Sequence, residues 1–240
     1  MDQGITFQDV TYRRQDRLIL RGISLSLTAR RIGVIGRNGS GKTTLLRLMA
    51  GLVAPSSGQI RLDGLDPAAD RRAMLDRVGI LFQNPDHQIL FPTVEEELAF
   101  GLRQQGASAT EAAAEVATLL QAEGRSHWAK ALVASLSHGQ KQWLCLMAVL
   151  LMRPATLLLD EPFAALDLPT QARLARRLAV LPQRIVTISH DPDAVAAADH
   201  LVWIEGGEVA RQGRPADVLP AFRAEMARLG DADADTDLSH

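Results

Sequence analysis

The first third of the chain alternates apolar and polar residues with the period of a half-buried β-strand. This alternation, or a short apolar run ending in glycine, predicts strands in ITFQDVTY, ISLSL, RIGVIG, GQIRLDG and VGILFQ. Between the third and fourth of these segments, leucine and methionine recur at helical spacing, which predicts a helix over residues 39–52. We therefore expect mostly sheet here, with one helix after the third strand.

Residues 84–153 change to helical periodicity. Thr93, followed three residues later by Glu96, predicts a capping box at the start of a helix. An alanine-rich helix is expected to end at Gly124, and the apolar run WLCLMAVLLM predicts a third helix. Together these segments predict a helical lobe.

Strand patterns return after residue 153, in ATLLLDEP and RIVTISH, with a helix through PTQARLARRLAVL between them and a short helix after RIVTISH. HLVWIEGGEVARQG predicts a hairpin that turns at Gly206 and Gly207. The sequence thus predicts an α/β fold with one domain over residues 1–228, in which a helical subdomain over about 84–153 is inserted. Residues 229–240 are small and acidic, which predicts a disordered tail.

The composition narrows the class of protein. The 240 residues include 26 basic and 28 acidic ones, so there is no basic excess to indicate a nucleic-acid surface. The single cysteine, Cys145, excludes an internal disulfide and is expected to be a buried structural thiol. No signal-peptide pattern opens the sequence, and its longest apolar run is shorter than the ~20 residues that span a bilayer. Work at a membrane would therefore require a membrane partner.

A phosphate-binding loop follows the third predicted strand and opens the first predicted helix. The motif G-x-x-x-x-G-K-[ST] is matched at every fixed position by Gly36, Arg37, Asn38, Gly39, Ser40, Gly41, Lys42 and Thr43, with Thr44 next. Its backbone N–H groups are expected to surround phosphate oxygens. Lys42 would reach the β- and γ-phosphates and Thr43 would bind Mg²⁺. The strand before it and the helix after it argue against a glycine-rich turn that binds nothing.

Two carboxylates end the strand TLLLDEP. In a nucleoside triphosphatase, Asp160 would hold Mg²⁺ and Glu161 would polarise the attacking water as general base. The alternative is that the two acids only cap the following turn.

A second helix start suited to an anion lies about a hundred residues after the phosphate loop, in LSHGQ. Ser137, Gly139 and Gln140 stand where the free N–H groups and the dipole of a helix attract negative charge. One nucleotide cannot easily fill two sites so far apart in one chain. Two chains arranged head to tail could share them, with each chain's helix start closing over the γ-phosphate held by the other.

With these motifs, the chain resembles the ATP-binding subunit of ABC transporters over nearly its whole length. LSHGQ is similar to the family signature LSGGQ, and LLLDEP follows about twenty residues later, although His138 stands where the family has glycine. The resemblance implies ATP and Mg²⁺ as ligands and a P-loop ATPase core with an N-terminal antiparallel β subdomain. It also implies roles for four further residues. Tyr12 would stack on the adenine, and Gln83 would link Mg²⁺ and water to the membrane subunit. Asp167 would lie at the dimer interface, and His190 would be the switch histidine that contacts the γ-phosphate.

Three of these residues also have a simpler interpretation. Tyr12 could be a strand-surface aromatic, Gln83 a polar strand end, and His190 a helix cap. Ile89, Leu90 and Phe91 form an apolar patch just after Gln83, which is either core of the lobe or a docking groove for a partner's helix.

The segment FQNPDHQILFPTVEEELAFGL resembles the ATPases of energy-coupling-factor and cobalt-type importers. The resemblance implies a peripheral subunit on the cytoplasmic face of the membrane, paired with a second ATPase subunit, here a homodimer. It also implies a transmembrane coupling subunit and a small substrate-binding membrane protein for a vitamin, with biotin the first candidate, or for Co²⁺ or Ni²⁺. The alternative is a non-transport ABC ATPase acting on DNA or ribosomes, although the chain has neither a long coiled-coil insertion nor a tandem cassette.

Overall fold

The computed structural model describes residues 4–231 of the chain. Its strands, in chain order, are β1 (Ile5–Arg14), β2 (Arg17–Leu27), β3 (Arg31–Ile35), β4 (Ser57–Leu62), β5 (Val78–Leu81), β6 (Thr156–Asp160), β7 (Arg184–Ser189), β8 (His200–Glu205) and β9 (Glu208–Gly213). Its helices are α1 (Lys42–Met49), α2 (Arg71–Leu75), α3 (Val94–Gln104), α4 (Ala109–Ala122), α5 (His138–Leu151), α6 (Leu168–Ala179), α7 (Pro192–Val195) and α8 (Pro215–Asp231). Single 3₁₀ turns occur at 85–87, 126–128 and 133–135.

The chain forms two compact units. The first contains the residues up to Asp66 and those from Val186 onward, and the second is Pro67–Ile185. Within the part that the structure describes, no helix has both the length and the apolar character needed to cross a bilayer.

In the first unit, β1 lies between β2 and β4 in an antiparallel sheet. β3 pairs in parallel with β8, and β8 continues into β9 through the predicted hairpin, where Gly206 and Gly207 both have positive φ. Helix α8 packs on this second group of strands, with the Phe222 ring 5.5 Å from that of Trp203. These contacts place the end of β3 and the start of α1 on a rigid base.

In the second unit, α5 is the central helix. It is buried on almost every side, which explains its nearly continuous apolar sequence. It packs against α3 and α4 and against β5, where a Cβ on Gly79 would lie 2.2 Å from Val149 Cγ1. β5 pairs in parallel with β6. The strand that ends in the two carboxylates is therefore fixed by the same core as α5.

The structure confirms the predicted strands and the predicted helices, and it adds α2 and α8. The capping box predicted at Thr93 is wrong. Helix α3 does start there, but the Thr93 hydroxyl bonds to the Glu96 carboxylate and no side chain caps the helix. Helix α8 takes in residues 229–231, and the rest of the predicted acidic tail lies outside the described residues. The predicted division into a core and an inserted subdomain stays a prediction.

Cys145 is expected to resist thiol reagents in the folded protein. Its side chain is fully buried in α5, and burial raises the pKa of the thiol to about 12. Because the thiolate is the reactive form, maleimide at pH 7.5 should label the chain only after unfolding in guanidinium. Mass spectrometry before and after unfolding measures this, and rapid native labelling would contradict the buried placement.

Candidate functional site

The phosphate loop runs from the end of β3 to the start of α1. Its first residue, Gly36, lies against β8, because a Cβ there would be 2.2 Å from the Ile204 carbonyl oxygen. Gly39 and Gly41 have φ of 80° and 106°, which only glycine adopts without strain. No side chain caps α1 at Gly41, which is the arrangement that lets a helix N-terminus bind an anion.

The loop fits a phosphate group. The Ser40 side chain is 4% exposed, and its Oγ has no hydrogen-bond partner among the described residues. A buried hydroxyl without a partner is costly unless a ligand or water bonds to it. Lys42 is 6% exposed, and its Nζ donates to the carbonyl oxygens of Gly36 and Arg37 at 2.7 and 2.9 Å. These bonds hold a positive charge against the loop backbone, while Thr43 is exposed and Thr44 is half-buried.

His190 lies beside this loop, as the resemblance implies. The exposed histidine follows β7, and it lines a cavity of about 580 Å³ together with Gly36, Arg37 and Asn38. It does not cap the helix after it, since the Asp191 side chain accepts from the N–H of Asp193 at 2.9 Å and thereby caps α7. The simpler interpretation of His190 as a cap is therefore wrong.

Tyr12 belongs to the same unit as the phosphate loop. It is half-buried in β1 and lies opposite Leu20 of β2 in the sheet register. Leu20 in turn lies against the loop, because a Cβ on Gly41 would be 2.6 Å from its Cδ2. Leu20 is thus the single residue through which the β sheet connects Tyr12 to the phosphate loop.

Asp160 and Glu161 end β6 in the second unit, at 6% and 9% exposure. Glu161 has φ of 48°, and its carbonyl accepts from the N–H of Ala164 in the turn that follows. A left-handed backbone is rare for a residue that is not glycine, and proline at the next position disfavours the α region as well. Strain of this kind costs ~1–3 kcal/mol and is concentrated at functional sites.

Gln83 is exposed immediately after β5. The loop that carries it is held by Gln88, whose Oε1 accepts from the N–H of Phe82 at 3.1 Å and whose Nε2 donates to the Ile80 carbonyl at 3.2 Å. No sequence pattern indicates this role for Gln88, because both of its partners are backbone groups. Gln83 is thus presented at the surface by a loop of fixed shape.

The apolar patch after Gln83 divides between core and surface. Ile89 packs against the core, and the Phe91 ring lies 5.2 Å from that of Phe100, whereas Leu90 is 67% exposed. The buried Glu97 carboxylate accepts from the N–H groups of Leu90 and Phe91 at 2.8 and 2.9 Å. Glu97 therefore supports this loop.

The second helix start is capped by its own residues. Ser137 Oγ accepts from the N–H of Gln140 at 3.3 Å, and Gln140 Oε1 accepts from the N–H of Ser137 at 2.7 Å. This is a capping box, and the S-x-x-Q pattern could have predicted it. The box does not use the N–H groups of His138 and Gly139, which lie in the first turn.

His138 turns its ring inward. Its Nε2 is buried and lacks a hydrogen-bond partner among the described residues. The side chain as a whole is half-buried.

Ser137, Gly139 and Gln140 line a cavity of about 490 Å³, next to Thr170 and Arg173 of α6. A Cβ on Gly139 would lie 3.1 Å from Thr170 Cγ2, so α5 and α6 approach closely at this point and a side chain there would require Thr170 to shift. Asp167 caps α6, and its hydrogen bonds from Thr170 hold the pKa of its carboxyl below the usual value. The three residues of the second anion site are thus brought together on one surface.

Among residues 4–231, no group of three or more His, Cys, Asp or Glu side chains is arranged to hold a metal ion. The residues predicted to bind Mg²⁺ divide between the units, with Thr43 in the first and Gln83 and Asp160 in the second.

The sequence matches the family described as ABC transporter over residues 20–164. It is 47% identical to the biotin transport ATP-binding protein BioM of Rhodobacter capsulatus, over 97% of this chain and 99% of that protein. It is 40% identical to the energy-coupling factor transporter ATP-binding protein EcfA1 of Symbiobacterium thermophilum, over 89% of this chain and 77% of that one. The structure is similar to that of cbiO1 from Clostridium perfringens, part of the ABC transporter complex cbiONQ, with a TM-score of 0.79, 28% identity and coverage of 95% of both chains.

Proposed function

This chain belongs to the ABC transporter family as the ATP-hydrolysing subunit, and we propose that two copies of it close around ATP to drive an importer of the energy-coupling-factor type. The observation that carries this proposal is the presence of two anion-binding helix starts in one chain. One is the phosphate loop with its buried, unpartnered Ser40 hydroxyl, and the other is the exposed start of α5 beside a cavity. In a homodimer, each ATP would contact the phosphate loop of one chain and the start of α5 of the other.

The phosphate loop is proposed to hold the ATP phosphates, with Lys42 at the β- and γ-phosphates and the Tyr12 ring on the adenine. Mg²⁺, when bound, would neutralise phosphate charge, held by Thr43 and Asp160. Gln83 would sense this site from the loop after β5. The proximity of Tyr12 to the loop through Leu20 supports the adenine assignment.

Hydrolysis is assigned to Glu161 and His190. Glu161 would take a proton from the attacking water as general base, and the strained backbone at this residue supports a functional role. His190 would contact the γ-phosphate, which its place in the loop cavity supports. Ser137, Gly139 and Gln140 of the second chain would close over the same phosphate through first-turn N–H groups.

The substrate is proposed to be a vitamin, with biotin first, and Co²⁺ or Ni²⁺ second. Support comes from the names of the relatives, since the match to a biotin transport protein extends over nearly the full length of both chains. The partners would be a transmembrane coupling subunit and a substrate-binding membrane protein, with this chain on the cytoplasmic face. Purification of the tagged chain from native membranes, followed by biotin uptake in a deletion strain, tests this assignment. Co-purifying ribosomes or DNA without membrane proteins would contradict it.

Leu90 is proposed to contact the coupling subunit, because it is exposed on the loop that also presents Gln83. Leu90→Asp is expected to weaken co-purification of the membrane subunit by about tenfold or more, since a charge would be buried in an apolar contact. ATP affinity should be unchanged. The matched control is Val180→Asp, which puts the same charge on a 72% exposed apolar residue at the end of α6. Equal loss in both variants, or loss of folding in Leu90→Asp, would contradict the docking role.

A further inference from the structure

Three side chains converge on the carboxylate of Glu123, the residue that follows α4. Oε2 accepts from Trp143 Nε1 of α5 at 3.3 Å, Oε1 lies 3.1 Å from an Arg177 nitrogen of α6, and Oε2 lies 3.8 Å from an Arg125 nitrogen. The Glu123 side chain is 13% exposed. A charge this buried is tolerated when it is paired and hydrogen-bonded, as it is here. One carboxylate thus connects three elements of the second unit.

The arginine in this cluster holds Trp143 from another side. The guanidinium carbon of Arg125 lies 5.1 Å from the ring centre of Trp128 and 5.2 Å from that of Trp143, which is cation–π geometry. Arg125 also donates to the Glu123 carbonyl at 2.7 Å. The Trp143 indole is therefore fixed through both its ring and its N–H group.

Trp143 lies on the face of α5 that carries the second anion site. It follows Gly139 by four residues and Gln140 by three, spacings that share one helix face, and all three line the same cavity. On α6, Arg177 lies seven residues after Thr170, which is two turns along the helix. The two helices are thus joined at two levels, by Gly139 against Thr170 and by Trp143 through Glu123 to Arg177.

We propose that Glu123 is a positioning residue for the shared ATP site. Through Trp143 and Arg177 it fixes the first turn of α5 against α6, so that Ser137 and Gly139 meet the partner's γ-phosphate in one orientation. The inference rests on the proposed function and adds a determinant that none of the sequence motifs contains. Loss of the carboxylate frees α5 to pivot and leaves two arginines without their counter-charge, while the phosphate loop in the other unit is unchanged.

The test compares Glu123→Gln with Glu115→Gln. Glutamine at position 123 can still accept from the Trp143 N–H but provides no charge for the arginines. The control residue lies on α4, where Glu115 pairs with Arg153 at 3.0 Å and both side chains are largely exposed, so its loss should have little effect. We expect Glu123→Gln to lower kcat and the ATP-dependent dimer association constant by about tenfold. The Kd of the monomer for a fluorescent ATP analogue should stay unchanged.

Trp143→Phe supplies an independent variant, since it removes the N–H donor and keeps a ring. It should reproduce the split between kcat and nucleotide Kd, because it removes the bond that links α5 to the Glu123 carboxylate. If Glu123→Gln and Glu115→Gln have the same kcat and the same dimer association constant, the proposal is overturned. A parallel loss of nucleotide affinity and thermal stability in both Glu123→Gln and Trp143→Phe also overturns it, because that pattern describes general destabilisation. The same measurement on the wild-type protein tests the proposed function separately. If the wild-type protein binds ATP but does not dimerise, the shared site on which this inference rests is contradicted.

Discussion

Glu161→Gln is expected to bind ATP and Mg²⁺ normally, to lose hydrolysis by about 10²–10⁴-fold, and to accumulate as an ATP-bound dimer. Glutamine has nearly the shape of glutamate but cannot accept a proton from water at neutral pH. In the proposed cycle, closure depends on ATP binding and reopening requires hydrolysis, so the variant should stop in the closed state. Phosphate release measures the first effect, and size-exclusion chromatography with Mg·ATP measures the second.

The control for this variant is Glu208→Gln, which makes the same change on an exposed residue of β9. It should hydrolyse ATP at the wild-type rate and stay monomeric after turnover. Wild-type turnover in Glu161→Gln would remove Glu161 from the role of general base. Loss of ATP affinity in that variant would instead show that the carboxylate is needed to form the site.

Two inactive variants are expected to restore activity when they are mixed, because in the proposed dimer each shared site combines Lys42 of one chain with Ser137 of the other. Lys42→Ala removes the ammonium held against the phosphate loop. Ser137→Asp keeps a capping oxygen for α5 but brings a negative charge to the γ-phosphate. A mixed dimer contains one site with both changes and one site with neither. With random pairing, about half of the dimers in an equal mixture are mixed, so activity should recover to about a quarter of wild type.

Ser137→Asn is the matched control, since asparagine caps a helix as aspartate does and carries no charge. It should keep most of the activity, which shows that the loss in Ser137→Asp comes from repulsion and not from damage to α5. Absence of rescue at every mixing ratio, with mixed dimers demonstrated by two different tags, would contradict sharing between chains.

Periodicity predicted most of the fold because it reports burial directly. The strands bury one face, which gives their sequences an alternation of apolar and polar residues. Helix α5 is buried on nearly every side, which gives it an almost continuous apolar sequence. Helix α8 escaped prediction because the proline at 220 lies inside it, where proline usually breaks a helix, and because its segment shows no clear period. Its apolar side becomes evident only when Phe222 meets Trp203, which lies about twenty residues earlier in the chain.

The site was predictable where its chemistry depends on a linear motif, as in the phosphate loop or the carboxylates after β6. It was not predictable where a side chain supports another element. Gln88 and Glu97 bond to backbone groups, and backbone partners leave no signature in the sequence. The inward turn of the His138 ring also depends on tertiary packing, so the residue's position in the motif could not predict it.

Because the backbone at Glu161 is left-handed, the residue that would lower strain there differs from the one that the proposed chemistry requires. Glycine and asparagine adopt that conformation more readily than glutamate does, so either replacement would relieve the backbone strain. With Glu161 as the proposed general base, selection for ATP turnover would keep the glutamate despite this strain. A related protein that works at higher temperature would therefore have to gain stability at other positions and retain the strained backbone at this one.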